Sequence, residues 1–145
     1  MEPLTTKDLA LLNAALLKLY SFQDVSIFSS GLVRLLPTLI SADIYSYDAI
    51  DAQTQQADLQ WTPNDVAMIP DGFSILAQHV DDNPIVPHFK QTGDGSARMV
   101  SDFLSQRTFR ARPLYQDFYK HYGISSHLIT ALSIHGQTTL TLSYH

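Results

Sequence analysis

Acid–base or metal chemistry in this chain would have to come from six histidines, thirteen aspartates and one glutamate, Glu2. The pairings that spacing allows are His79 with Asp82, Asp117 with His121 one helical turn apart, His88 with Asp82 or Asp102, and His127 with His135. None has the His-Glu-x-x-His spacing that sets two imidazoles on one helix face, and the sequence assigns no metal ligand. Thiolate catalysis, disulfides, cysteine zinc sites and thioether-linked chromophores are excluded because the chain has no cysteine. No Gly-x-Ser-x-Gly is present, and Ser101-Asp102 and Asp117-x-x-x-His121 suit helix capping better than a nucleophile–base pair. Thr92-Gly93-Asp94-Gly95-Ser96 lacks the strand before it and the Lys-Ser/Thr after it that a phosphate loop needs. It reads as a turn built on glycine, with Arg98 nearby to receive an acidic ligand group.

Aromatic side chains are the denser signal. Phe103, Phe109, Tyr115, Phe118, Tyr119 and Tyr122 crowd into residues 103–122, and the whole chain has fifteen aromatics. A small-molecule site needs a concave apolar wall with a few polar tips. Tyr45, Tyr47 and Trp61 on strands, with Phe73, His79, His88, Phe89, Arg98, Met99, Phe103, Phe109, Tyr115 and Phe118 above them, would make such a wall. The competing reading is that the same side chains fill a core. Arg107, Arg110 and Arg112 around Phe109 form a small basic cluster that reads as a solvated face paired with part of the aspartate excess.

Composition bounds the rest. With 145 residues, 45% apolar and 16% charged, the chain is expected to form one globular domain, 1–145. Its net charge is −5, but residues 84–122 carry +3 and the remainder −8. A domain of that sign repels phosphate backbones, so nucleic-acid binding by this chain alone is not expected. No apolar run is long enough for a membrane span and Met1-Glu2-Pro3 begins no signal peptide, which gives a cytoplasmic expectation.

The elements that would position these residues follow from periodicity. Leu4 to Tyr20 reads as a helix capped at Thr5 or Thr6, with Leu9, Leu12, Leu16 and Leu19 as a stripe that serves as core or as a homodimer seam. A second helix from near Asp24 aligns Phe28, Leu32, Leu35, Leu36 and Leu39, with Gly31 admitting a neighbour and Pro37 loosening the last turn. Residues 43–51 switch to period two, with Ile44, Ser46, Asp48 and Ile50 on one face. After a turn at residues 51–54 a second strand runs through Ala57, Leu59 and Trp61 to a stop at residues 62–65. A helix opens at Pro70-Asp71, Asn83-Pro84 restarts a helical turn, and Gly93 and Gly95 are expected to supply positive φ. A short strand near Arg98, a helix capped by Ser101, and a helix carrying Leu114, Tyr115, Phe118 and Tyr122 up to Gly123 precede a final hairpin over residues 128–144. The pattern is α+β.

Several blocks then occur in a recognisable order: Ser46-Tyr47, Asn83-Pro84-Ile85-Val86, His88-Phe89, Thr92-Gly93-Asp94-Gly95, Ser101-Asp102-Phe103-Leu104 and Leu114-Tyr115-x-Asp117-Phe118-Tyr119. Over residues 24–145 the chain resembles the N-terminal, GAF-like sensor domain of LuxR-type helix-turn-helix regulators. The resemblance implies a GAF/PAS-like five-stranded antiparallel sheet with helices on both faces and residues 70–122 arched over a cavity. It also implies a regulatory, non-enzymatic role in which an unidentified small molecule shifts a homodimer. It departs from those regulators in having no helix-turn-helix pattern. Neither the residues nor the resemblance names a cofactor. A ligand-free interaction module and a small enzyme using His88 are the alternative readings.

Overall fold

In the computed structural model, residues 2–51, 53–63, 67–135 and 138–144 are described; for 25–26 and 132–144 this covers the backbone alone. Three expected turns therefore include positions outside the description, namely 52, 64–65 and 136–137.

The chain enters helix α1 (Thr6–Tyr20) through a capping box. Thr5 Oγ1 accepts from the Asp8 amide at 3.2 Å, and the Asp8 carboxylate accepts from the Thr5 amide at 2.8 Å, so two otherwise orphaned N–H groups are satisfied. Ala15 is the one buried residue of this helix. Leu9, Leu12 and Leu16 of the expected stripe lie exposed, and Leu19 is half-buried. Helix α2 (Val25–Leu35) tightens into a 3-10 turn at Leu36–Thr38, where Pro37 has no N–H to continue the ladder. A Cβ on Gly31 would sit 2.6 Å from the Phe22 ring, so the glycine does admit a neighbour, and the neighbour is the preceding loop.

Strands β1 (Tyr45–Asp51) and β2 (Gln56–Thr62) form a hairpin in which Tyr45 faces Thr62 and Asp51 faces Gln56. Then come helix α3 (Gly72–Gln78), helix α4 (Ile85–Thr92), a two-residue strand β3 (Arg98–Met99), and the short helices α5 (Gln106–Arg110) and α6 (Pro113–Asp117). Strands β4 (Leu128–His135) and β5 (Thr138–Tyr144) close the chain. All pairings are antiparallel, and the sheet order is β2-β1-β5-β4-β3. The first and last hairpins are thus joined edge to edge, β1 against β5, a pairing across the length of the chain that no local pattern announces.

Period-two alternation along β1 separates two cores. Tyr45 packs with Val33 and Leu36 beneath α2, and Tyr47 lies against the same cluster. Ile50 belongs to the larger core made with Leu76, Val80, Ile85, Val86, Phe109, Leu114, Phe118 and Ile129. The arch of residues 70–122 therefore covers one sheet face and α2 the other. The expected single helix ending at Gly123 is instead broken at Phe118 (φ −127°, ψ −73°), giving α6 and a 3-10 turn at Tyr119–Tyr122. The break swings Phe118 and Tyr119 into the core together; they are 1% and 7% exposed.

The two glycines of the arch turn do different jobs. Gly93 ends α4 in the left-handed region at φ 70° with open space around it, as expected. Gly95 is not in that region; a Cβ there would run into the carbonyl oxygen of Ala131 on β4. It is a close-approach glycine, and Gly95→Ala is expected to cost about 1–3 kcal/mol in urea unfolding because a backbone atom cannot yield. A change below half a kilocalorie would show that the turn can lift off β4.

Candidate polar cavity beneath the arch

Five buried polar side chains converge between the sheet and the arch. Ser46 and Asp48 come from β1, where they occupy inward positions in line with Ile50; they are 1% and 8% exposed. The Ser46 hydroxyl donates to Asp48 Oδ2 at 3.1 Å. Asn83 arrives from the bend before α4, Tyr119 from the 3-10 turn after α6, and His127 from the residue just before β4.

Asn83 is the joint of the group. Its Oδ1 accepts from the Ile85 amide at 3.1 Å, starting α4, and its Nδ2 lies 3.1 Å from His127 Nε2. The His127 ring stacks at a tilt on Tyr119 with centroids 4.8 Å apart and lies 5.8 Å from Phe109. Burial disfavours the imidazolium and lowers the His127 pKa to about 4. The Tyr119 hydroxyl is held above its ordinary range, first by burial and then by the Asp48 charge, with the Asn83 hydrogen bond opposing. Near neutral pH the site presents a neutral imidazole, a neutral phenol, an amide and a carboxylic group. Replacing Asn83 by leucine removes the Ile85 acceptor and the His127 contact at once. A loss of about 2–3 kcal/mol in thermal or urea unfolding is expected, and a neutral substitution would mean that water replaces both bonds.

The space bounded by Asp48, Asn83 and Tyr119 is small. A cavity of about 20 Å³ is bounded by Asp48, Ile50, Leu76, Val80, Asn83, Val86, Leu114, Tyr119 and Ile129. That is room for about one water molecule. An organic ligand of the size such sites take, roughly 300 Å³ and upward, requires the arch to rise.

Asp82 ties the arch together. Its carbonyl accepts from Arg112 Nη1 at 2.5 Å and its carboxylate accepts from the Leu114 amide at 3.2 Å, capping α6 from a residue thirty-two positions before that amide. His79 Nδ1 lies 3.6 Å from the same carboxylate. At the outer end of the arch, Asp94 accepts from Arg98 Nη2 at 2.8 Å and from the Ser96 amide and hydroxyl, with His88 Nε2 at 3.8 Å. Ser96 and then Arg98 hold the Asp94 carboxyl well below the usual carboxylate range. Arg98, expected to meet an acidic ligand, is thus met by Asp94.

No protein-family model and no curated protein matches the sequence. Solved structures do. The VqsR LBD domain from Pseudomonas aeruginosa superposes with a TM-score of 0.63 at 16% identity, covering 97% of this chain and 80% of that one. The N-acylhomoserine lactone dependent LuxR family transcription factor CepR2 from Burkholderia cenocepacia gives 0.60 at 8% identity, with 97% and 78% covered. This is the fold of LuxR-family ligand-binding domains.

Within that LuxR-type fold the residues expected to line a site divide into three groups. Phe109 and Phe118 are buried in the core beside the cavity, with Trp61 stacked edge-on to Phe118 and Tyr122 at 6.2 and 5.0 Å. Tyr115 adjoins Phe109 at 5.8 Å. His88 packs on Phe103 at 5.1 Å, and Phe89 approaches Gly95, all at the outer end of the arch with Arg98. Tyr45 and Tyr47 do not join Trp61: they stand on the opposite sheet face, where the Tyr45 hydroxyl donates to the Ile40 carbonyl at 2.6 Å. Phe73 and Met99 lie at the surface, 43% and 38% exposed, and His79 sits outside the cavity against Asp82.

Aromatic density alone did not locate the polar cluster. Its signal was the pair Ser46 and Asp48 interrupting an otherwise apolar inward stripe between Ile44 and Ile50. Among the described residues no group of three or more His, Asp or Glu converges as metal ligands would, and no helix is long and apolar enough to cross a membrane.

Proposed function

We propose that this chain is the GAF-like, small-molecule-sensing domain of a transcriptional regulator, acting in the cytoplasm. The observation that carries the reading is the buried Asp48–Asn83–Tyr119–His127 cluster beside a small cavity, beneath an arch made of short helices. Buried polar groups are costly to a core, and a polar cluster placed where a fold takes its ligand is accounted for by recognition. The strand order and the arch over one sheet face support the GAF-like assignment. A regulatory rather than enzymatic role is supported by the solved neighbours, one a ligand-binding domain and the other a transcription factor.

In this reading a ligand enters between sheet and arch, places a hydrogen-bonding group among Asp48, Asn83 and Tyr119, and spreads its apolar part against Trp61, Phe109 and Phe118. The arch rises as a unit, and the shift is passed to a dimer partner. Gly93 is the hinge; Gly95, held against β4, is the anchor. CepR2 is described as N-acylhomoserine lactone dependent, which makes that ligand class the first to try here.

Native mass spectrometry of the freshly purified chain, followed by thermal shift with a series of N-acylhomoserine lactones of increasing acyl length, tests the reading. A retained small molecule, or a stabilisation that vanishes in Asn83→Leu, is the expected result. A chain that carries no extra mass and is stabilised by neither lactones nor a general small-molecule screen removes the sensory role.

A further inference from the structure

A second space lies outside the arch cavity, at the end of the sheet where β1 begins. It holds about 440 Å³ between the loop of residues 40–43 on one side and Met99 with residues 126–128 on the other. Hydrogen bonds within the chain fix both walls. The Tyr45 hydroxyl accepts from the Ala42 amide at 2.9 Å and donates to the Ile40 carbonyl, which sets the loop. The Met99 amide donates to the Asp102 carboxylate at 2.9 Å, and Met99 pairs across strands with Leu128. The groove is thus open as the chain folds. Its volume lies in the range, roughly 300–1,000 Å³, that small organic ligands occupy.

The lining selects the occupant by charge. Ile40, Met99 and Leu128 supply an apolar wall, and Ile40 and Met99 are each 38% exposed. Asp43 is the one charged residue of the lining, and among the described residues it forms no ion pair. An apolar wall beside one unneutralised carboxylate complements an ammonium head on a short aliphatic body, and it repels a carboxylate of the same size. We propose that this groove is a second small-molecule site, taking an aliphatic amine in its ammonium form and reporting to the arch through His127.

His127 is what the groove and the arch cavity share. It is 3% exposed and lines the groove, while its Nε2 lies 3.1 Å from Asn83 Nδ2 and its ring stacks on Tyr119 at 4.8 Å. Asn83 and Tyr119 in turn line the arch cavity. An occupant that turns the imidazole alters the Asn83 contact, and Asn83 opens α4 through the Ile85 amide. The site stands without the sensory reading, because its walls and its carboxylate lie outside the arch cavity.

The probe is n-hexylammonium, with hexanol and hexanoate as its neutral and anionic counterparts. Titrated into the whole nitrogen-15-labelled chain near neutral pH, the amine is expected to bind with about millimolar affinity and to shift the amide signals of Ala42, Met99 and Leu128. Hexanol should bind more weakly and hexanoate not at all. Asp43→Asn is expected to weaken the amine about three- to five-fold, the scale of an exposed ion pair. Ser126→Phe, at an exposed position of the lining, should abolish binding with circular dichroism unchanged. The Asn83 and Ile85 signals should follow the groove signals in the wild type and stay still in His127→Gln. Equal binding of amine and alcohol, an unaltered affinity in Asp43→Asn, or shifts confined to signals beneath the arch overturns the site. Asn83 and Ile85 signals that move equally in His127→Gln overturn the relay. Lactone stabilisation that depends on Asn83 reports on the arch cavity and is read independently of these signals.

Discussion

Phe118→Ala is expected to cost about 3–5 kcal/mol, a large part of the roughly 5–15 kcal/mol that holds a domain of this size together. Phe118 is 1% exposed and contacts three aromatic neighbours, with Tyr122 at 5.2 Å, Tyr119 at 5.5 Å and Trp61 at 6.2 Å. It sits where α6 breaks into the 3-10 turn, so the ring pins the kink that delivers Tyr119 to the polar cluster. Removing it loses the transfer energy of the ring and leaves a hole whose walls are fixed by β2 on one side and the arch on the other. Phe118→Leu keeps most of the volume and is expected to cost much less, about 1–2 kcal/mol. Urea unfolding followed by Trp61 fluorescence, checked by circular dichroism, measures both. A loss below about 1 kcal/mol for the alanine variant would show that the arch collapses freely and that the kink does not depend on this ring.

The second large effect is a loss of stability in mild acid. His127 has a native pKa lowered to about 4 from 6.5 in the unfolded chain. Above pH 6.5 both states hold the imidazole neutral and nothing changes. Between 6.5 and 4 the unfolded state takes up a proton that the native state refuses, so folding weakens by about 1.4 kcal/mol per pH unit, roughly 3 kcal/mol in all. Below 4 the native state protonates too and the loss levels off. The lowered carboxyls of Asp8, Asp51 and Asp94 act in another window: their stabilisation is complete above the ordinary carboxylate pKa and is lost only as pH falls below it. Unfolding midpoints from pH 7.5 to 4 should therefore decline, and His127→Gln should flatten most of the decline. An equal slope in the variant would assign the acid limb elsewhere.

How much of this could be read from the chain itself varies with distance along it. Capping at Thr5 with Asp8, the loosening at Pro37, the alternation from Tyr45 to Asp51 and the turn at Gly93 are decided by residues within one or two turns, and each was legible. Other features were set by partners far away. The face to which Tyr45 turns depends on α2 lying over it, and the sequence alone does not separate a tyrosine beneath a helix from one beside Trp61. Gly95 looked like a positive-φ glycine because the carbonyl that demands it belongs to Ala131, thirty-six positions later. The break at Phe118 follows from core packing overriding a helical pattern. The candidate site was half visible: its aromatic wall stood out by density, while Asn83 read as the start of a helical turn within one of the ordered blocks and His127 as one member of a pair with His135. Each acquires its second role from the other, across forty-four residues.

Asp82 gives the arch a mechanical property. By accepting from Arg112 and Leu114 while Asn83, its neighbour, opens α4 and holds His127, it fastens α4, α6 and the approach to β4 at a single two-residue corner. Elements as short as α4 and α6 would be expected to fray one at a time. Joined at that corner they are expected to open together. Under the proposed sensory role, a domain built this way would answer an occupant as a toggle rather than a dimmer.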